Sequence, residues 1–182
     1  SRYGHSSPLN IKRSYDISVN HYDVQDCDRG PEIEFNSHRI RFNTYYCKDI
    51  YPKGYSGQPG NYATYTFSGP NVHSHLGEGG CTDVSWGNGT LEACLMSINM
   101  DLSTGYTDEA DHHKGISVGH VHIVNPRGGP QPVILQGINV EIASLWFSGL
   151  PSGTQPGQLM LFGRSDGASD SRDIRIGRIE VD

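Results

Sequence analysis

Apolar and polar residues alternate with a period of two along most of the chain. In residues 94–102, for example, Ile98 and Met100 alternate with Asn99 and Asp101. A period of two predicts a β-strand with one buried and one solvated face. The same pattern predicts strands at 15–19, 33–42, 63–67, 115–125, 133–135, 137–147, 159–162 and 173–181.

The alternation changes phase at two places. Ile33 is out of phase with Ile40, and Ile176 is out of phase with Ile179 on the other side of Gly177. We expect a β-bulge, or a strand that changes sheets, at residues 36–39 and a bulge at Gly177.

Glycine and proline separate the predicted strands, with 23 glycines and 10 prolines in 182 residues. This spacing predicts an all-β fold, an antiparallel β-sandwich or jelly roll, with a single domain over 15–182. Residues 1–14 are polar and form an N-terminal arm that is flexible or pairs with a neighbour. One short helical turn is expected within 107–114.

Four cysteines are present, and none forms a C-x-x-C pair. Their even number favours two disulfides in a secreted, extracellular protein. Sequence proximity favours the pairs Cys27–Cys47 and Cys81–Cys94, although three connectivities are possible. Asn88-Gly89 predicts a hairpin turn that would bring Cys81 and Cys94 together.

Asn88-Gly89-Thr90 is also an N-glycosylation sequon. Asn88 is therefore either a glycosylation site on a surface turn or a turn residue only.

The formal net charge is −6, and the chain has no cluster of Lys or Arg. These features argue against nucleic acid as a partner and against an anionic membrane surface. No apolar run is long enough for a membrane span.

Two H-x-H pairs are the candidate metal ligands. His73 and His75 form the first, His120 and His122 the second, and each pair shares one strand face. Four such nitrogens suit a divalent Zn or Cu ion. Three acidic turns could instead bind Ca, because carboxylate oxygens are its usual ligands, but we favour the interpretation that these turns are solvated. The acidic residues of these turns are Asp23, Asp26, Asp28, Asp108, Glu109, Asp111, Asp166, Asp170 and Asp173.

Packing competes with metal binding as the role of the second pair. By simple alternation, Ile116, Val118 and Val124 share the face of His120 and His122. An otherwise aliphatic face favours imidazoles that pack and form hydrogen bonds. The adjacent His112 and His113 are expected in a surface loop.

Aromatic residues in Gly/Pro-rich segments are the candidate ligand-binding residues. Tyr51, Tyr55 and Tyr62 lie within 49–65, and Trp86 lies beside the Asn-Gly turn. Exposed rings can stack on sugar faces, whereas buried rings would fill the ends of a sandwich.

The leading hypothesis is a secreted binding or structural module whose partner is a glycan or another extracellular protein, with a glycan favoured as the ligand. One alternative is a metal-dependent enzyme or metal-binding protein that uses the H-x-H pairs. The other is a self-assembling coat or fibre subunit, which would be a homo-oligomer. The sequence favours binding over catalysis and leaves enzymatic activity open, because it contains no nucleophile motif.

Overall fold

The computed structural model describes residues 8–27, 29–50, 69–74, 77–94, 98–102, 109–127, 133–150, 160–162 and 171–182. Most residues of the predicted strand segments in these ranges lie in strands of the structure, and a 3₁₀ turn at Glu109–Asp111 is the predicted short helical turn. The all-β prediction is confirmed. The predicted strand at 63–67 lies outside the described residues.

The strands form two parallel sheets. The short-strand sheet contains β1 (Asn10–Lys12), β3 (Glu32–Glu34), β5 (Asn71–Ser74), β7 (Ile98–Leu102), β9 (Val133–Leu135) and β11 (Met160–Phe162). The long-strand sheet contains β2 (Tyr15–Gln25), β4 (His38–Lys48), β6 (Thr82–Glu92), β8 (Lys114–Val124), β10 (Ile138–Ser148), β12 (Arg172–Ile176) and β13 (Ile179–Val181).

Successive strands alternate between the two sheets. Each strand pairs in parallel with the strand two further along the chain, as β4 does with β2 and with β6. A short strand and the long strand after it therefore make one coil, and the described residues form six stacked coils. This architecture is a β-solenoid. β12 and β13 both pair with β10 and together complete the last coil.

The predicted antiparallel sandwich is wrong, because the strand pairs are parallel rather than antiparallel. Alternation of apolar and polar residues shows only that a strand has one buried and one solvated face. The outer faces of these parallel strands are largely solvated, so their sequences alternate as those of antiparallel strands do. The phase change at 36–39 does mark a strand change: β3 ends at Glu34 in one sheet and β4 begins at His38 in the other. Residues 10–12 of the predicted arm form β1, which pairs with β3 of the same chain.

The core lies inside the coils and is built of rows. A row is the set of residues that occupy one position in successive coils, about 4.8 Å apart. At the centre of the core, Phe42 and Trp86 stack with ring centroids 4.1 Å apart and an interplanar angle of 11°. Their row contains Val19, Phe42, Trp86, Val118, Ile142 and Ile176.

In each of the first five coils, the residue that follows the long strand has a left-handed backbone conformation. These residues have φ between 47° and 64°, where Gly, Asn and Asp are the usual occupants. Their amide groups continue the ladder: Asp26 N donates to Lys48 O, and Asp49 N donates to Glu92 O, both at 3.0 Å. The row contains Asp26, Asp49, Ala93, Asn125 and Gly149.

No disulfide joins Cys27, Cys47, Cys81 and Cys94, so the predicted pairs are wrong. Cys81 and Cys94 flank β6, an 11-residue strand that separates them instead of a hairpin that joins them. Val24, not Cys27, is the partner of Cys47 in register. A disulfide needs Cα atoms within about 7 Å, which the length of β6 prevents for Cys81 and Cys94.

Gly89 makes room for a buried ring in the neighbouring coil. Tyr45 is its partner in register, and a Cβ atom on Gly89 would overlap the Tyr45 ring. Tyr45 also meets Trp86 edge to face, with centroids 5.8 Å apart. The glycine of the Asn-Gly dipeptide therefore serves core packing, not a hairpin.

We predict that Gly89→Ala destabilises the fold by about 1–3 kcal/mol through overpacking. Urea denaturation of the single and double variants with Tyr45→Ala would measure the coupling. The cost of Gly89→Ala should almost vanish in the Tyr45→Ala background. An equal cost in both backgrounds would contradict the contact between Tyr45 and Gly89.

We also predict that Cys81 resists alkylation in the folded chain. Burial raises the pKa of its thiol to about 12, and the thiolate is the reactive form. Mass spectrometry after iodoacetamide treatment at pH 8 should find Cys81 unmodified without urea and modified with it. A cysteine placed at the exposed position Ser117 is the control and should react in both conditions.

Candidate functional site: an outer groove along the long-strand sheet

Each long strand changes phase near its middle. In β8, Ile116 and Val118 point into the core, and the next buried residues are Val121 and Ile123. The spacing of three between Val118 and Val121 turns the strand at a corner. β4, β6 and β10 follow the same pattern, so the corner runs along the solenoid.

This corner places His120 and His122 on the outer surface. His120 is exposed and His122 is half-buried, while Val121 between them points inward. The prediction that they share an aliphatic face with Ile116 and Val118 is wrong, because the phase change at Gly119 puts those two residues in the core.

Two outward rows flank the inward row at the corner and form a groove of about 310 Å³. One wall carries Asn88, His120 and Ser144, and the other carries Thr90, His122 and Trp146. The floor between the walls contains Tyr45, Gly89 and Val121.

The first wall is a chain of polar contacts between coils. His120 Nδ1 and Ser144 Oγ share a hydrogen bond of 2.8 Å, and the two residues are partners in register. His120 N donates to Asn88 Oδ1 at 3.0 Å. These bonds orient an amide, an imidazole and a hydroxyl along one side of the groove.

The second wall is a stacked pair of rings. The ring centroids of His122 and Trp146 lie 3.8 Å apart, and the angle between the two ring planes is 2°. His122 Nε2 and Ser148 Oγ share a hydrogen bond of 2.8 Å, and Trp146 Nε1 donates to Asp182 Oδ2 at 2.8 Å. Both rings are therefore held in place, and Trp146 remains 41% exposed.

Charged groups lie beyond the second wall. Tyr46 OH donates to Glu92 Oε2 at 2.6 Å, and Lys48 Nζ lies 2.8 Å from Glu92 Oε1. Bonds from Lys48 and then from Tyr46 hold the pKa of Glu92 below its ordinary value. None of the nine described residues that line the groove itself is Asp, Glu, Lys or Arg.

The two H-x-H pairs do not come together. His73 lies on β5 of the short-strand sheet, whereas His120 and His122 lie on β8 of the long-strand sheet; His75 lies outside the described residues. Within the described ranges no three His, Cys, Asp or Glu side chains converge on a metal position, so the metal prediction is wrong for this part of the chain. His112 and His113 are buried rather than in a surface loop.

The predicted aromatic site is only partly described. Tyr51, Tyr55 and Tyr62 lie outside the described residues. Trp86 is fully buried in the core row, so it packs in the interior and is not an exposed ring that could stack on a sugar. Asn88 lies on the groove wall, and its glycosylation stays a prediction.

A second polar cluster lies on the short-strand sheet. Glu32 and Glu34 are buried, and Asn10 Nδ2 donates to both, at 3.1 and 3.2 Å. Arg29 Nη1 lies 2.9 Å from Glu32 and Lys12 Nζ lies 2.7 Å from Glu34. Burial raises the pKa of Glu32 in spite of the nearby Arg29. Two cations compensate two buried acids, so the cluster is a structural network.

No family model, curated protein or solved structure matches the chain. The described residues contain no helix with the length and hydropathy needed to cross a membrane.

We predict that Tyr46→Phe raises the pKa of Glu92 toward its ordinary value, because one hydrogen bond to the carboxylate is lost. Lys48→Ala should raise it further, since Lys48 is the larger cause. NMR titration of the Glu92 carboxyl group would measure both shifts. The stabilisation from ionised Glu92 is present above its ordinary pKa and is lost as the pH falls through its lowered pKa. An unchanged pKa in both variants would contradict the contacts.

Proposed function

We propose that the chain is an extracellular glycan-binding module whose binding surface is the outer groove. The observation that carries the proposal is the parallel stack of His122 and Trp146, with Trp146 exposed at the groove wall. His122 covers one face of the Trp146 ring, and the exposed part of this fixed ring is an apolar surface with little conformational freedom left to lose on binding.

The opposite wall supplies the polar half of a sugar site. Asn88, His120 and Ser144 carry donors and acceptors for hydroxyl groups. A sugar has apolar C–H faces and a rim of hydroxyls, and the two walls match these two features. The absence of ionised carboxylates, lysines and arginines among the nine lining residues favours a neutral glycan.

Binding is favoured over hydrolysis. Glycosidases use two carboxyl groups about 5 to 10 Å apart. The nine residues that line the groove include neither Asp nor Glu. The contact between His120 and Ser144 is explained by their register and orients both groups for a ligand.

The test is a glycan array with neutral and acidic glycans, followed by calorimetry with the best neutral oligosaccharide. Trp146→Ala should weaken its binding at least about tenfold, which corresponds to 1.4 kcal/mol. Its effect on the melting temperature should be small, because Trp146 is partly exposed.

Tyr15→Ala is the matched control. Tyr15 is also an exposed aromatic residue stacked on a histidine, His38, at 5.3 Å, but it lies outside the groove. Binding should be unchanged in this variant. No neutral glycan bound on the array, or an equal loss in both variants, would overturn the proposal.

A further inference from the structure

The two walls of the outer groove are rows, so each coil adds one residue to each wall. The first wall continues from Asn88 to Thr44 of the second coil, the coil of β4, and Thr44 is exposed. The second wall continues from Thr90 to Tyr46 of the same coil. Both walls therefore extend over four successive coils, from the second to the fifth.

Each wall keeps its own chemistry over these four coils. The first wall carries hydroxyl, amide and imidazole groups, on Thr44, Asn88, His120 and Ser144. The second wall carries rings and one methyl group, on Tyr46, Thr90, His122 and Trp146. In every coil, a hydrogen-bonding group thus lies across the groove from a ring or a methyl group.

Charged residues limit this neutral stretch at both ends. In the first coil, Asp23 occupies the row of the second wall. On the outer face of the sixth coil, Arg178 and Glu180 form an ion pair. Between these charges neither wall contains Asp, Glu, Lys or Arg. The neutral stretch is therefore four coils long.

The contacts inside the first wall orient its polar groups and leave them capacity for a ligand. His120 Nδ1 shares one hydrogen bond with Ser144 Oγ, and His21 Nδ1 shares one of 2.8 Å with Thr44 Oγ1 in the same way. Asn88 Oδ1 accepts one from His120 N. A hydroxyl group has one donor and two acceptor positions, and an amide side chain has both donors and acceptors. The wall can therefore bind hydroxyl groups of a ligand without breaking these contacts.

The repeat of the walls matches the repeat of an extended glycan. Successive coils are about 4.8 Å apart. A sugar residue in a β-1,4-linked chain has nearly the same length, because its two linkage bonds leave opposite ends of the ring equatorially and keep the chain straight. A chain that lies along the groove would place one residue beside each coil. Its hydroxyl groups would then meet the first wall at the spacing of Asn88, His120 and Ser144.

We propose that the groove binds linear, β-1,4-linked neutral glycans parallel to the direction in which the coils stack, with one sugar residue beside each of four coils. This inference rests on the proposed glycan-binding function and adds the linkage, the orientation and the length of the bound segment. An α-1,4-linked chain matches the straight rows less well, because its axial linkage curves the chain.

Calorimetry measures the length of the site. The probes are β-1,4-linked oligosaccharides of glucose, mannose and N-acetylglucosamine, from two to six residues long. In the series that binds, affinity should rise at least about tenfold from the disaccharide to the tetrasaccharide and then level off, since the charged coils begin beyond the fourth residue. Oligosaccharides of α-1,4-linked glucose are the control for chain shape and should bind more weakly.

Thr44→Ala tests whether the ligand reaches the second coil. Tetrasaccharide affinity should fall about two- to tenfold through the loss of one hydrogen bond. Disaccharide affinity should not change, because two residues beside His122 and Trp146 do not extend to Thr44. Ser117→Ala is the matched control, since it removes an exposed hydroxyl group from β8 outside the groove and should change neither affinity.

A spin label at the reducing end of the tetrasaccharide tests the orientation of the chain. A chain parallel to the stack of coils should broaden the backbone NMR signals at one end of the groove, either at Thr44 or at Ser144. A chain that runs along the strands would place the label beyond one wall and broaden the signals at both ends alike, which would overturn the proposed orientation.

Equal affinity for the disaccharide and the tetrasaccharide, with the loss in Trp146→Ala retained, would overturn this inference and leave the proposed function standing. Stronger binding of the α-1,4-linked series, or unchanged tetrasaccharide affinity in Thr44→Ala, would do the same. So would a chain that binds neutral glycans on the array but none of the three β-1,4-linked series. Binding of no neutral glycan at all would overturn the proposed function and this inference together.

Discussion

Stacking of equal positions in successive coils is the constraint on which the rest of the structure depends. Each side chain meets its counterpart about 4.8 Å above and below it, so a position must suit its row. Phe42 and Trp86 meet this requirement by stacking face to face. Tyr45 needs more space than its row provides, and Gly89 supplies it in the next coil. The size and shape of a core residue in this fold therefore depend on a partner in the next coil, which lies tens of positions away in sequence.

The same constraint generates features outside the core. Rows continue on the outer surface, where register places His122 against Trp146 and His120 against Ser144. The corner between Val118 and Val121 separates these two rows and makes the surface concave. At the ends of the stack, the inward rows lack a described neighbour, which exposes Ile179 and Val181. The outer groove and the exposure of Ile179 and Val181 thus have one origin, the repetition of positions from coil to coil.

Stacking of aromatic rings in the core leaves some of their polar atoms without hydrogen-bond partners in the described part of the chain. The Nε1 atom of Trp86 and the phenol oxygen of Tyr45 are buried and have no hydrogen-bond partner within the described residues. Each such group costs about 1–3 kcal/mol. Burial also raises the pKa of Tyr45, so the neutral phenol is retained. The large apolar area of both rings offsets this cost, since one aromatic side chain buries about 150–250 Å².

The sequence by itself determined where many of the strands form, since a period of two is a local property of segments such as 137–147. It predicted no strand at β5, and it predicted a hairpin where β6 is a single strand. It also located the strand change at 36–39, because a phase change is visible without knowing the partner strand. Only the tertiary structure decided that the strands are parallel, because a half-buried strand alternates in either orientation. It decided the role of Asn88-Gly89 in the same way: the dipeptide forms a corner in β6 where local rules favour a hairpin. The outward position of His120 and His122 depends on the corner at Gly119, and their groove depends on β6 and β10. Pairing between strands from distant parts of the sequence creates these features, so no single segment encodes them.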